Sequence, residues 1–295
     1  MRVLVTGWSS FLHGEATAGD VLSLRGVGAA LASAGVAFDI AWSPVFQPAA
    51  LHLADADPGR YSHLVFACGP AHGEQVRELH ECYANCRRIA VGVSVLDPDD
   101  AAVTGFHRVL ARDDRHTAKV DLAVATPADA VPVVGVIFAP GQAEYGEAGR
   151  HGPVHETLRR WLREQDCGRV PLDTRLATDD WALCATADQF TSVLSRFDAV
   201  VSTRLHGLAL GLRAGIPVLA VDPVAGGGKV TAQAEALGWP AVVSAEDVDA
   251  PGVLEARWRW CLSAEGKAHA ARRDFIAADA LLDELLGELL DGNPV

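Results

Sequence analysis

The sequence predicts an α/β protein of two domains, each built on a parallel sheet, and three observations predict it. Short apolar, β-branched runs alternate with amphipathic stretches from end to end, the pattern of strands buried on both faces by covering helices. A polar, proline-bearing segment, Pro127-Ala128-Asp129-Ala130-Val131-Pro132, interrupts that alternation near the middle. The 295 residues, 49% hydrophobic, are enough for two domains with a core each. The boundary is placed at that interruption, giving a first domain over residues 1–130 and a second over residues 131–295.

In chain order, the first half holds expected strands at residues 3–6, 38–42, 64–67, 89–95, 109–111 and 122–125. A helix over residues 20–34, stopped by Gly35, follows the first of them. In the second half, a strand at residues 133–139 precedes helices at 153–165 and 188–197. A strand at 199–202, a helix at 205–214 and a strand at 218–221 come next. Residues 264–290 read as a long amphipathic helix or a helix pair. There Leu281, Leu282, Leu285, Leu286, Leu289 and Leu290 recur at helical spacing, which predicts one face buried against a domain or a second subunit.

Charge narrows the function classes. A net charge of −13 and a pI near 5.2 argue against a nucleic-acid binder, which needs a basic face to displace counterions, and against docking on anionic lipid. No stretch approaches the roughly 18 apolar residues of a membrane span. The N-terminus runs straight into a strand-like segment, Arg2 to Gly7, unlike a signal peptide, so the expected location is the cytoplasm. The six cysteines fit that compartment as free thiols; Cys82 and Cys86, four apart, are half of a metal set at most.

The segment that carries chemistry runs Phe197-Asp198-Ala199-Val200-Val201-Ser202-Thr203-Arg204-Leu205-His206-Gly207. A buried strand ends there and a helix starts at once. Arg204 and His206 therefore lie beside the unpaired N–H groups and positive dipole end of that helix, where an anion is favoured. In the scaffold reading, Arg204 pairs with Asp222 or Asp198 and His206 is a core histidine. After the strand at 218–221 comes Asp222-Pro223-Val224-Ala225-Gly226-Gly227-Gly228-Lys229, a glycine loop with a lysine opening the next helix. It has the physics of a phosphate cradle without the Walker spacing, or it is a flexible turn. Lysine is scarce in this arginine-rich chain, which singles Lys229 out.

Together these residues resemble the polysaccharide pyruvyl transferase family. The match is Ser-Thr-Arg-Leu-His-Gly, then Ala-Gly-Ile-Pro-Val at 214–218, then the lysine, then Ala236-Leu237-Gly238. Arg112-Asp113 resembles the family's Arg-Asp element, and Gly19-Asp20 the Gly-Asp that opens its first helix. Two departures stand out: Val224 to Gly228 lengthens the loop before the lysine, and Trp8 to Thr17 replaces a loop rich in glycine and asparagine.

The resemblance implies a GT-B-like pair of Rossmann-type domains. It implies transfer of a pyruvyl group from phosphoenolpyruvate to hydroxyls of a sugar-containing or related acceptor, with no metal or other cofactor. In that reading Arg112 and Lys229 hold the donor's anionic groups, Arg204 joins them or braces the site, and His206 is the general acid. Gly207, Gly228 and Asp20 complete the binding residues, and the cleft lies between the domains. The other readings are a nucleotide-sugar glycosyltransferase on the same architecture and a non-catalytic binding protein that kept the fold.

Weaker signals have plainer uses. His151 and His155 are separated by Gly152-Pro153, so a solvated loop is expected rather than a zinc pair on one helix. Glu144, Glu147 and Arg150 touch an acceptor or simply face solvent, and Asp179-Asp180 is expected to cap the following helix. Trp8, Trp42 and Trp181 stack on a sugar or pack inside. With no Gly-x-Ser-x-Gly elbow, a serine hydrolase is not expected.

Overall fold

In the first strand, β1 (Arg2–Thr6), Val3 and Val5 point to one face and Leu4 to the other, and both faces are covered. The computed structural model describes residues 1–116, 118–272 and 280–291. It divides into two compact units, Met1–Asp129 and Ala130–Val295.

The first unit runs β1, α1 (Ala18–Ser33), β2 (Ala37–Ile40), β3 (His63–Ala67), α2 (Glu74–Cys82), β4 (Arg87–Ser94), α3 (Ala101–Thr104), β5 (Arg108–Asp113) and α4 (Leu122–Ala125). Its five strands are all parallel, in the order β2-β1-β3-β4-β5. On one face Val3, Val5 and Val65 pack with Leu24 of α1. On the other, Leu4, Leu64 and Phe66 pack with Val76 and Leu79 of α2.

The second unit runs β6 (Val133–Ile137), α5 (His151–Glu164), β7 (Gly168–Leu172), α6 (Ala187–Leu194), β8 (Ala199–Ser202), α7 (Leu205–Arg213), β9 (Val218–Val221), α8 (Lys229–Ala236), β10 (Val242–Val243), α9 (Val253–Leu262), α10 (Ala264–Ala270) and α11 (Ala280–Asp291). Its sheet is again parallel and five-stranded, ordered β10-β9-β8-β6-β7. Read from its own first strand, this is the same order as in the first unit. The chain steps to one side, returns past its starting strand and continues outward, so each sheet has a switch point beside its first strand. Ligands of such sheets bind outside the strand carboxyl ends at that point. In the second unit it lies between β6 and β8.

Several expectations need correction. Residues 122–125 form one helical turn rather than a strand, because the Asp121 carboxylate accepts from the Ala123 N–H and caps it. His151 and His155 share α5 and are buried, not solvated. Pro153 sits in the first turn, where a missing N–H costs no intrahelical bond. Asp179-Asp180 caps no helix; Thr186 caps α6, and Asp180 accepts from the Ala182 N–H in a turn. Cys82 is exposed while Cys86 is buried, so the two do not act as one pair. Trp181 is 97% exposed. The edge strands β7 and β10 escape the sequence pattern, one because Pro171 interrupts it and one because it has two residues. The C-terminal stretch is a pair of helices, with residues 273–279 outside the described residues. Within the single chain the six leucines of α11 are each at least 50% exposed. Among the described residues, no helix is long and apolar enough to cross a membrane.

Candidate functional site

The switch point of the second unit holds a cavity of about 260 Å³ lined by Ala139, Pro140 and Gln142 after β6, Arg204, Leu205 and His206 after β8, and Lys229 at the start of α8. Each side chain is placed by a local device. Ser202, the last residue of β8, accepts from the Arg204 N–H (3.0 Å) and donates to the Arg204 carbonyl (2.9 Å), fixing the turn into α7. α7 then packs so closely on this strand end that a Cβ at Gly207 would collide with Ser202 Oγ. Thr203 accepts from the Ala139 N–H (2.9 Å), tying the ends of β6 and β8 together. The first N–H groups of α7 have no intrahelical acceptor, and its N-cap, Arg204, and its first two residues, Leu205 and His206, line the cavity.

Arg204 pairs with Asp173, just past β7, at 2.8 Å, not with Asp222 or Asp198. Burial pushes the Asp173 carboxyl up, but the Arg175 backbone and guanidinium and the Arg204 charge outweigh it and hold it below its ordinary value. Asp198 instead accepts from the Val133 N–H. His206 is exposed at the cavity mouth. Lys229 is exposed too, its Nζ 5.8 Å from the centre of the Tyr145 ring, a cation–π contact that restrains the side chain.

Asp222 organises the glycine loop. Fully buried, its carboxylate accepts from the N–H groups of Val224, Gly228 and Thr231 and from the Thr231 hydroxyl, at 2.7 to 3.1 Å. Gly226 donates to Glu246 and Gly227 to the Val224 carbonyl. The loop amides therefore point into the protein or to Glu246, and a buried carboxylate already occupies the N-terminus of α8. What the loop presents to the cavity is the lysine. Gly226 and Gly227 both take positive φ (78° and 88°), which is why glycines build the turn.

Behind the cavity, His155 bonds Thr203 Oγ1 at 3.0 Å and stacks on Phe138 at 4.6 Å. Burial, with the His151 and Arg159 charges, pushes its pKa down to about 4, so it is neutral at pH 7. Because the folded value lies below the ordinary 6.5, the neutral form is the stabilising one. Stability should be complete above pH 6.5 and fall as pH drops toward 4, by on the order of 3 kcal/mol. Urea unfolding of wild type and His155→Gln across that window checks this; equal slopes for both would refute it. His151 is also pushed down, by burial first, with Asp222 opposing and Lys229 reinforcing.

Two expected binding residues belong to the first unit. Arg112 donates from Nε to Asp113 (2.6 Å), from Nη1 to Asp121 (2.6 Å) and from Nη2 to Ser94 (2.7 Å). Those hydrogen bonds hold the guanidinium pKa above its ordinary value. Asp20 is buried in a capping box, accepting from the Thr17 N–H and hydroxyl. Among the described residues, no group of three or more His, Cys, Asp or Glu side chains is arranged to hold a metal.

The sequence reading missed Asp173, which lies behind the proline-broken strand, and Tyr145 and Thr203. No periodic signal marks Asp173 or Tyr145; Thr203 stood inside the motif, but its partners Ala139 and His155 are distant in sequence.

Comparison with known families and structures bears on the same segment. The family model described as polysaccharide pyruvyl transferase matches residues 169–223, from β7 through the Arg204–His206 turn to the residue after Asp222. Lys229, Gly228, Arg112 and Asp20 lie outside the match. The resemblance is thus to a family of carbohydrate-modifying transferases. No curated protein matches the chain. Among solved structures, the E. coli heptosyltransferase WaaC with ADP is 14% identical, with 88% of this chain and 98% of that chain covered and a TM-score of 0.26. The glycotransferase of kitacinnamycin is 15% identical, covering 96% and 98%, with a TM-score of 0.25. The iron-containing dodecameric glycosyltransferase TibC from enterotoxigenic E. coli H10407 is 14% identical, covering 55% and 58%, with a TM-score of 0.22.

Proposed function

We propose that this chain transfers a pyruvyl group from phosphoenolpyruvate to hydroxyls of a sugar-containing or other polyhydroxyl acceptor, with the donor held in the cavity at the β6–β8 switch point. The observation that carries this reading is the convergence of Arg204, His206 and Lys229 on one cavity at the N-terminus of α7, inside or adjoining the segment that matches the family.

Phosphoenolpyruvate carries a phosphate and a carboxylate. Arg204 and Lys229 supply one cation for each, and the start of α7 adds its dipole and open N–H groups. Asp173 braces the Arg204 guanidinium, and the Tyr145 ring restrains Lys229. Arg112 belongs to the first unit, and this account rests the donor's anions on the cavity's own cations.

His206 donates a proton to the methylene C3, the double-bond electrons form the new C–H bond, and C2 becomes electrophilic. An acceptor hydroxyl bonds to C2, and its proton passes back to the imidazole. The C2–O bond to phosphate then breaks, the electron pair leaving with phosphate, and a second acceptor hydroxyl bonds to C2 and closes the ketal, its proton passing to the departing phosphate. Each turn converts phosphoenolpyruvate and a diol to a ketal and inorganic phosphate.

The test is acceptor-dependent phosphate release from phosphoenolpyruvate across a panel of glycans and polyols, with products identified by mass. Release of nucleotide from nucleotide sugars without phosphate release from phosphoenolpyruvate would overturn the reading in favour of glycosyl transfer. Lys229→Ala should weaken phosphoenolpyruvate binding by about 1–3 kcal/mol, roughly 5- to 150-fold in Kd. Unchanged affinity by calorimetry would mean the longer loop has carried the lysine out of the donor site.

A further inference from the structure

A second feature of the C-terminal unit lies away from the cavity. Between α5 and the edge strand β7 is an open groove of about 500 Å³. Phe138, Leu162 and Pro171 give it an apolar floor. Arg159 and Arg163, one turn apart on α5, stand along one side, and Arg169 rises from β7. Arg159 lies over the Phe138 ring, while Arg163 has no ionic partner among the described residues.

The same chain carries a surface of the opposite kind. At about 100° per residue, the six leucines of α11 occupy one half of the helix circumference. Glu284 and Glu288, one turn apart, border that half on one side, and Asp283 borders it on the other. The residues from Leu281 to Leu290 include no lysine or arginine.

We propose that this groove receives α11 of a second copy of the chain, reciprocally, to form a dimer. The leucine half meets the apolar floor, Glu284 and Glu288 face Arg159 and Arg163 at matching one-turn spacing, and Asp283 faces Arg169. Helix-in-groove recognition uses this combination of apolar anchors and flanking charge. The occupant is a second copy rather than the chain's own helix. In the single chain the groove stands open and the leucines are uncovered. A reciprocal exchange closes both at once with twofold symmetry. This proposal does not depend on the chemistry proposed above.

Light scattering over a concentration series tests it with two charge-reversed full-length variants, Arg159→Glu/Arg163→Glu and Glu284→Arg/Glu288→Arg. All four positions are exposed, so the fold should persist, as circular dichroism would verify. Wild type should be dimeric, and each variant alone should associate at least about 100-fold more weakly. Mixed in equal amounts, the two variants should form a heterodimer, because reversed groove then meets reversed helix while wild-type groove meets wild-type helix. A monomeric wild type, variants that dimerise like wild type, or a mixture that stays monomeric would each overturn the proposal.

Discussion

His206→Gln is expected to lower turnover with phosphoenolpyruvate by about 10²–10⁴-fold while donor affinity moves little. Glutamine keeps a polar side chain able to hydrogen-bond but has no proton of useful acidity. In the proposed site the donor anions rest on Arg204, Lys229 and the backbone N–H groups at the start of α7, none of which this side-chain substitution removes. The loss should therefore fall on kcat. His206 is exposed at the cavity mouth, so the variant should unfold at the same denaturant concentration as wild type. Single-turnover rates with a saturating donor, alongside equilibrium binding, separate the two effects. Near-normal turnover would remove His206 from the chemistry and leave it a neighbour of the site.

Asp222→Ala should show the opposite pattern, a loss of structure first and of function as a consequence. Its carboxylate is the common acceptor of four hydrogen bonds, three of them to backbone N–H groups of the loop and the first turn of α8. Alanine would strand those donors in a buried position and remove the negative charge at the helix N-terminus. The expected destabilisation is about 3–5 kcal/mol. Lys229, the first residue of α8, loses its placement with the loop, so donor affinity should fall at least as far as in Lys229→Ala. Asp222→Asn, which keeps one acceptor oxygen, should fall between wild type and alanine. Wild-type stability in Asp222→Ala would show that the loop is organised by its glycines and not by the aspartate.

The alternation of apolar runs and amphipathic segments, read residue by residue, was sufficient for the class of fold, because strands buried on both faces cannot carry polar residues at every second position. β1, β3, β4, β8 and β9 all show this. The turn at Arg204-Leu205-His206-Gly207 was legible for a related reason. A strand ending directly in a helix leaves N–H groups open, and residues of that turn must stand at the sheet's binding edge wherever the rest of the chain goes. Local chemistry also marked Lys229.

Everything that depends on partners far along the chain was out of reach. Arg204 had two acidic candidates, Asp222 and Asp198, and takes neither; its partner, Asp173, follows a strand that Pro171 disguises and that reaches Arg204 only because β7 pairs with β6 and β6 with β8. The glycine loop reads alone as a phosphate cradle. Its own first residue, Asp222, is buried beneath it and turns its amides inward, which sequence spacing alone does not reveal. Gly152-Pro153 reads as a break in a helix, yet the site of the break is a first turn that needs no N–H from proline. Local sequence carries backbone preference and burial period because both act between near neighbours. Hydrogen-bond and ion-pair partners at the site were decided by strand order, which sets which loop ends meet at the switch point.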